Sequence, residues 1–463
     1  MRIAVCAFVA AASLPLSARL ASADEEPSTP ADRRLDEVLR EMESQRAEIE
    51  SLKTRLAAED GSGGVADEVR KYLESEEGRK SLGVGKTDFR VSWKDGLSFD
   101  TADKAFSLRI GGRVHYDIVL PDADDEVEAV AGDIDRTVGL RRARVDMRGT
   151  IYENVFYVNS LEFAGSATTF KNNFFGLKGL PGGLVFQAGF FKEPVGLEES
   201  TSANYITFIE RSLANNAFAP TENNGLMLSG SHMDERLNWW IGDFQDNASQ
   251  GPQPTSFQHN FTGRVTHVPW QDKEKESLLH IGASVQDRSP ETELDRFRVR
   301  PSIPFVPRTQ DTGDFSVDSE LIVGLEAAFT RGPWSVQGEM YRADIEDHPD
   351  APGASPTYGG YYAMVSYWLT GETRPYKGGA FQRVKPKSNF TTRGGRGAWE
   401  VAARYSALDL DDDGQDGGVG HDLTLGANWH LNPNARVMLN YVLYTRTHVG
   451  DVNSIVLRFQ VDF

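Results

Sequence analysis

The sequence predicts an all-β chain: a transmembrane antiparallel β-barrel of about 16 strands carrying a short N-terminal periplasmic coiled-coil helix. Three observations carry the prediction. Apolar and polar residues alternate with period two over long stretches, such as Phe106 to Leu120. The chain ends in an aromatic, Phe463, on a stretch of that kind. No segment reaches the ~20 consecutive apolar residues that a membrane-crossing helix needs, so any crossing falls to strands.

Composition narrows the function classes. The 463 residues include 49 Lys or Arg against 68 Asp or Glu, a formal charge of −19, which excludes a general nucleic-acid binder dependent on a basic face. A single cysteine excludes an intramolecular disulfide and any multi-thiolate metal site. The nine His residues show no HExxH or paired-ligand spacing, and no nucleophile elbow, phosphate loop or dinucleotide fingerprint occurs. Neither a cofactor, a metal nor an enzymatic activity is therefore predicted. Asp409 to Gly414 resembles the start of a calcium loop but has Gly420 where the closing Glu belongs, and reads as a solvated external loop.

Met1-Arg2, the apolar run Ile3 to Leu16 and the small-residue site Ala21-Ser22-Ala23 read as a secretory signal peptide over 1–23. Residues 24–85 read as a periplasmic helical arm and linker. Within it Leu35, Val38, Met42, Ile49, Leu52 and Leu56 fall at heptad spacing, with Gln45 at the one polar core position. A surface helix packed on its own domain is the alternative. Gly-rich runs at 61–64 and 83–85 set the arm apart from the barrel, 86–463.

Within the barrel, Asp95-Gly96 signals a hairpin between Arg90–Trp93 and Leu97–Asp100. From Phe106, Leu108, Ile110, Val114, Tyr116 and Ile118 share one face, opposite Arg109, Arg113, His115 and Asp117. Between 142 and 152, Ala143, Val145, Met147 and Ile151 oppose Arg142, Arg144, Asp146 and Arg148. The alternation returns around Trp399–Tyr405, Leu423–Leu431 and Val437–Leu443, with Asn432-Pro433-Asn434 as a tight turn. The last strand sets Ile455, Leu457, Phe459, Val461 and Phe463 against Val456, Arg458, Gln460 and Asp462. Phe459, Val461 and Phe463 read as the signal taken by the barrel-assembly machinery. Tyr116, Trp429, Tyr441 and Phe463 read as an interfacial aromatic girdle. A soluble sandwich shares the alternation, but strands this long suit lipid, where closure removes an unpaired edge.

If the apolar face meets lipid, Arg109, Arg113, Arg142, Arg144, Arg148, Arg404, Arg436 and Arg458 face the lumen. Such a lining favours anions and offers paired donors to oxyanions. The alternative for any one arginine is a wall-bracing ion pair with Asp117, Asp146, Glu162 or Glu400.

Several ordered blocks from about 140 onward resemble the phosphate-selective porin O/P family of Gram-negative outer membranes. They include Arg141-Arg142-Ala143-Arg144, Gly176-Leu177-Lys178-Gly179-Leu180-Pro181-Gly182, Gly189-Phe190-Phe191-Lys192-Glu193-Pro194-Val195-Gly196-Leu197-Glu198, Ile206-Thr207-Phe208-Ile209-Glu210-Arg211 and Arg458-Phe459-Gln460-Val461-Asp462-Phe463. The resemblance implies a 16-stranded trimeric porin whose third external loop folds inward, with arginines and lysines guiding phosphate or polyphosphate. Lys171 and Lys178 are the lysines near the corresponding stretch. The expected setting is the outer membrane with its lipid and lipopolysaccharide, a homotrimer, and small anions such as phosphate as solutes. A second reading makes the chain an envelope tether that grips peptidoglycan through the coiled coil.

Overall fold

The protein, as a computed structural model, describes residues 89–93, 95–245, 260–289, 294–346 and 355–463, with six isolated positions before them. Apart from those positions, the signal segment 1–23 and the arm 24–85 lie outside the described residues. Phe89–Phe463 form one compact unit.

That unit is built on one 18-stranded sheet. Two of its strands, β1 (Phe89–Trp93) and β2 (Leu97–Thr101), form the hairpin that Asp95-Gly96 signals. The remaining 16 are antiparallel neighbours in chain order: β3 (Phe106–Ala123), β4 (Thr137–Ile151), β5 (Val155–Glu162), β6 (Thr169–Leu177), β7 (Val185–Lys192), β8 (Glu222–His232), β9 (Leu237–Gln245), β10 (Asn260–Asp272), β11 (Ser277–Arg288), β12 (Ser319–Arg331), β13 (Trp334–Glu346), β14 (Thr357–Trp368), β15 (Ala398–Asp412), β16 (Gln415–Asn432), β17 (Ala435–Arg446) and β18 (Gly450–Asp462). Strand β18 pairs back onto β3, with Val461 opposite Val114 and Val452 opposite Ala123, and the cylinder is closed. Closure pairs the backbone groups that an open edge would leave bare in hydrocarbon.

Alternation decides which side faces out. Along β12, Leu321, Val323 and Leu325 are exposed while Glu320, Ile322 and Glu326 are buried inside. One end of the barrel carries short turns such as 152–154, 332–333 and 433–434, and the other carries connections such as 124–136, 193–221 and 289–318. The short-turn end is the periplasmic one. Outward aromatics gather there: Trp270 on Phe329 at 6.1 Å, Trp334 on Tyr367 at 4.6 Å, and Trp399 stacked on Trp429 at 5.3 Å. Tyr441 is not part of this girdle, because it sits mid-strand between Leu425 and Ile455.

One connection departs from the sequence reading. Asp409–Asp412 extend β15, and Asp413-Gly414 is a two-residue turn where an external loop was expected. At the periplasmic end, by contrast, residues 369–397 make a long connection between β14 and β15.

The last residue finishes the seam. Gly112 and Phe463 exchange two backbone hydrogen bonds, of 2.8 and 2.9 Å. A Cβ on Gly111 would lie 2.5 Å from the Phe463 carbonyl oxygen, so only glycine fits beneath the chain end. Below it β2 takes over the same edge of β3, with Leu97 opposite Ile110, and Trp93 stacks on Phe463 at 6.2 Å.

Candidate channel and its constriction

The connection 193–221 is the third at the extracellular end, and its composition sends it inward. Val195, Ile209, Leu213 and Phe218 are buried against Tyr341, Tyr358, Met438, Val442 and Val456, apolar side chains that point into the lumen and need a cover. Gly196 has φ +65°, and a Cβ there would lie 2.1 Å from the Tyr341 hydroxyl. Its absence lets the chain reach Glu339, whose carboxylate accepts the N–H groups of Leu197 and Glu198 at 3.0 and 2.6 Å and the Tyr341 hydroxyl at 2.6 Å.

Carboxylates of this loop then find arginines of the far wall. Arg404 donates to Glu198 at 3.2 Å and to the Glu210 carbonyl at 2.9 Å. Arg458 makes a two-pronged pair with Asp117, 2.6 Å on each prong, and reaches Glu210 at 3.3 Å. Arg436 donates to the Ile206 carbonyl at 2.9 Å. Burial alone would raise the Glu210 carboxyl, but Arg141, Arg458 and Arg142 around it hold it well below the usual carboxylate range. From the periplasmic side, residues 369–397 rise to meet the loop. Phe381 donates its N–H to Thr201 at 3.3 Å, and Arg374 lies 3.7 Å over the Phe381 ring.

The loop therefore crosses the barrel and covers the inner face of β15–β18, where Arg404, Arg436, Asn440 and Arg458 are buried. Inner side chains of β4–β7 stay partly exposed: Arg142, Arg144, Asp146, Lys171 and Gln187. This bare face holds the remaining channel.

Its charges are arranged by strand register. Arg109 sits opposite Arg148, and Arg113 opposite Arg144, two cross-strand pairs of like charge. Such pairs work against the sheet. Asp146 answers Arg113 at 3.1 Å and Glu162 answers Arg144 at 3.2 Å. Arg109, Arg142 and Arg148 make no ion pair with a described carboxylate. At the periplasmic mouth Arg109 and Arg148 share an open cleft of about 510 Å³ with Ser92, Ser98, Asp100, Ser107 and Thr150. Toward the outside, burial and the neighbouring Arg141 pull the Arg300 guanidinium below its ordinary pKa, and burial with Arg298 and Arg300 does the same to Arg308.

The residues singled out from the sequence thus divide. Arg109, Arg113, Arg142, Arg144 and Arg148 come together on the bare wall, whereas Arg404, Arg436 and Arg458 lie under the loop. Lys171 pairs with Glu222 at 3.4 Å, and Lys178 lies exposed beside the turn after β6. Phe459 and Val461 face outward, and Phe463 ends the seam. Of the expected bracing carboxylates, Asp117, Asp146 and Glu162 hold arginines, while Glu400 instead accepts from Asn428 at 2.8 Å.

Arg141, Glu198, Glu210 and Glu339 were missed as site residues. For Arg141 the cause is a β-bulge: His115 pairs with Arg142 but Tyr116 with Leu140, so Arg141 is the extra residue. Strict alternation would send it to lipid; the bulge aims it at Glu210, met at 2.8 and 3.1 Å.

Comparison with known proteins gives a consistent picture. The family model for phosphate-selective porin O and P matches residues 108–463. Over 400 residues the chain is 27% identical to Porin O of Pseudomonas aeruginosa, covering 77% of this chain and 86% of that one. It is 30% identical over 400 residues to an uncharacterised protein of Caulobacter vibrioides, covering 81% and 77%. Among solved structures, an anion-selective porin from Comamonas acidovorans superposes with a TM-score of 0.50 at 12% identity, over 77% of this chain and 100% of that one, a likeness of fold.

Proposed function

The chain belongs to the phosphate-selective porin O and P family, and we propose that its outer-membrane channel prefers anions, with inorganic phosphate or a short polyphosphate as the solute class. The observation that carries the preference is the bare wall, where Arg109 faces Arg148 and Arg113 faces Arg144 across one strand pair. Two carboxylates, Asp146 and Glu162, answer four guanidinium groups there. The surplus is maintained at a cost in sheet stability, and rings of Arg in a wet pore attract anions while presenting paired N–H donors that fit an oxyanion.

The path proposed for the solute runs from Arg298, Arg300 and Arg308 in the extracellular connection, past Arg141 and Arg142 at the constriction, to Arg109 and Arg148 at the periplasmic cleft. Lys171 and Lys178 lie along or beside this route. The heptads of residues 24–85 support assembly of a homotrimer in this reading. Reconstitution of the purified chain in a planar bilayer under a KCl gradient tests the preference. A reversal potential of the anion-selective sign, and a chloride current that falls as inorganic phosphate is added, are the expected results. Cation selectivity would overturn the proposal.

A further inference from the structure

The periplasmic connection 369–397 carries a second charge pattern, one that the channel does not use. Between Glu372 and Glu400 there are seven basic and no acidic residues, inside a chain that holds 68 acidic against 49 basic. The first part of the connection enters the lumen, where Arg374 donates to Gln337 at 2.9 Å. The second part does the reverse. Phe390 packs edge-on against Trp429 at 4.9 Å, and Trp429 is stacked on the outward Trp399. The Phe390 N–H donates to the Leu431 carbonyl at 2.6 Å, and the Trp429 indole N–H donates to the Arg396 carbonyl at 2.9 Å. These contacts fix the turn around Arg393 on the lipid-facing side of the wall, level with the periplasmic aromatic girdle. Arg393 and Arg396 are exposed on it, Lys385 and Lys387 are exposed on the segment that leads into it, and Lys385, Arg393 and Arg396 make no ion pair with a described carboxylate.

We propose that residues 385–396 dock on anionic phospholipid headgroups of the periplasmic leaflet. Phe390, Trp399 and Trp429 insert at the level where aromatic rings favour the interface. The basic side chains beside them meet the headgroup phosphates, whose negative surface potential attracts Lys and Arg within a Debye length. A soluble acidic protein is a poorer occupant, because the charges flank a lipid-level aromatic stack instead of facing open periplasm.

Native mass spectrometry of the full chain, released from detergent containing equal phosphatidylglycerol and phosphatidylethanolamine, tests this. The wild type retains phosphatidylglycerol in preference by about fivefold or more, and Lys385→Gln/Arg393→Gln/Arg396→Gln loses that preference. Lys273→Gln/Lys275→Gln, on a different periplasmic turn, keeps it. Equal retention of both lipids by the wild type, or an unchanged preference in the triple variant, overturns the proposal. Bilayer reversal potentials of the same triple variant separate this surface from the channel. They stay at the wild-type value if the stretch binds lipid, whereas a loss of anion preference with lipid preference intact would assign the charges to the aqueous path.

Discussion

The walls β15–β18 and β3–β7 both present arginine at inward positions, yet they treat it in opposite ways. Arg404 and Arg458 on the first wall are sealed beneath the constriction loop, with carboxylates and carbonyls supplied by Glu198, Glu210 and Ile209. Arg109 and Arg148 on the second line the open, water-filled cleft and make no ion pair with a described carboxylate. Residue type therefore does not separate a structural cation from a working one; the neighbours do. A guanidinium that anchors a loop is desolvated and paired, because an unpaired buried charge costs too much. A guanidinium that attracts a passing anion has to stay hydrated and under-compensated.

The largest expected effect comes from breaking an anchor. Arg458→Met leaves Asp117 and the Glu210 edge without their shared partner in a fully buried setting, and the expected destabilisation is about 3–5 kcal/mol. Thermal conversion of the folded barrel to the unfolded band on electrophoresis reads it. The loop, held on this wall partly through Arg458, should also loosen and raise open-channel current noise. A variant as stable and as quiet as the wild type would show that the covered wall does not depend on its ion pairs.

Gly196→Val attacks the opposite end of the same loop. A side chain there meets the Tyr341 hydroxyl and the Glu339 carboxylate, and the positive φ disfavours a β-branched residue. The expected outcome is a folded barrel with a displaced loop, seen as larger single-channel conductance. The expected loss of stability is of order 1–3 kcal/mol, the range for a residue held in a sparsely populated backbone region. Wild-type conductance would mean that the loop tolerates a shift away from Glu339.

Much of the barrel was legible from alternation alone, because each strand of β15–β18 sets apolar residues outward along its length and mixes polar side chains into the inner face. The constriction was less so. Met438, Val442 and Val456 break the rule by pointing apolar side chains inward, and in the sequence they pass for noise on an otherwise polar face. They are the footprint of the loop that covers them. Arg141 was hidden for a related reason: a bulge adds one residue and reverses the parity on which the facing of a strand is read. The pairing of Arg109 with Arg148 also needs register, which a single strand read alone does not contain.

On the bare wall, removing charge should change selectivity and leave stability nearly untouched. Arg109→Gln/Arg148→Gln removes a like-charge cross-strand pair, so the fold is expected to hold or gain within about 0.2–1 kcal/mol. A unit charge about 8 Å from a passing ion in water is worth about 0.5 kcal/mol, an attraction for an anion and a repulsion for a cation, so each lost arginine should lower the anion-to-cation permeability ratio by about fivefold. Reversal potentials in a KCl gradient measure it. The same two measurements on Arg404→Gln should give the inverse result, a clear loss of stability with little change in selectivity. If both walls respond alike, the division between anchoring and working arginines fails.

The smallest effect concerns pH. Glu210 titrates well below the ordinary carboxylate value of 4.5 because Arg141, Arg458 and Arg142 outweigh the burial that would raise it. A carboxylate with a depressed folded pKa adds stability that is fully present above its unfolded value and is lost only as pH falls through the folded one. Between pH 7 and pH 5 the Glu210 contacts should therefore be unchanged, and current noise arising from the loop should be flat across that interval. Glu210→Gln removes the charge at every pH and should bring to pH 7 the noise that the wild type shows only in far stronger acid. Noise that rises in the wild type between pH 7 and pH 5 would place the weak point elsewhere in the covered wall, at a carboxylate not held by three guanidinium groups.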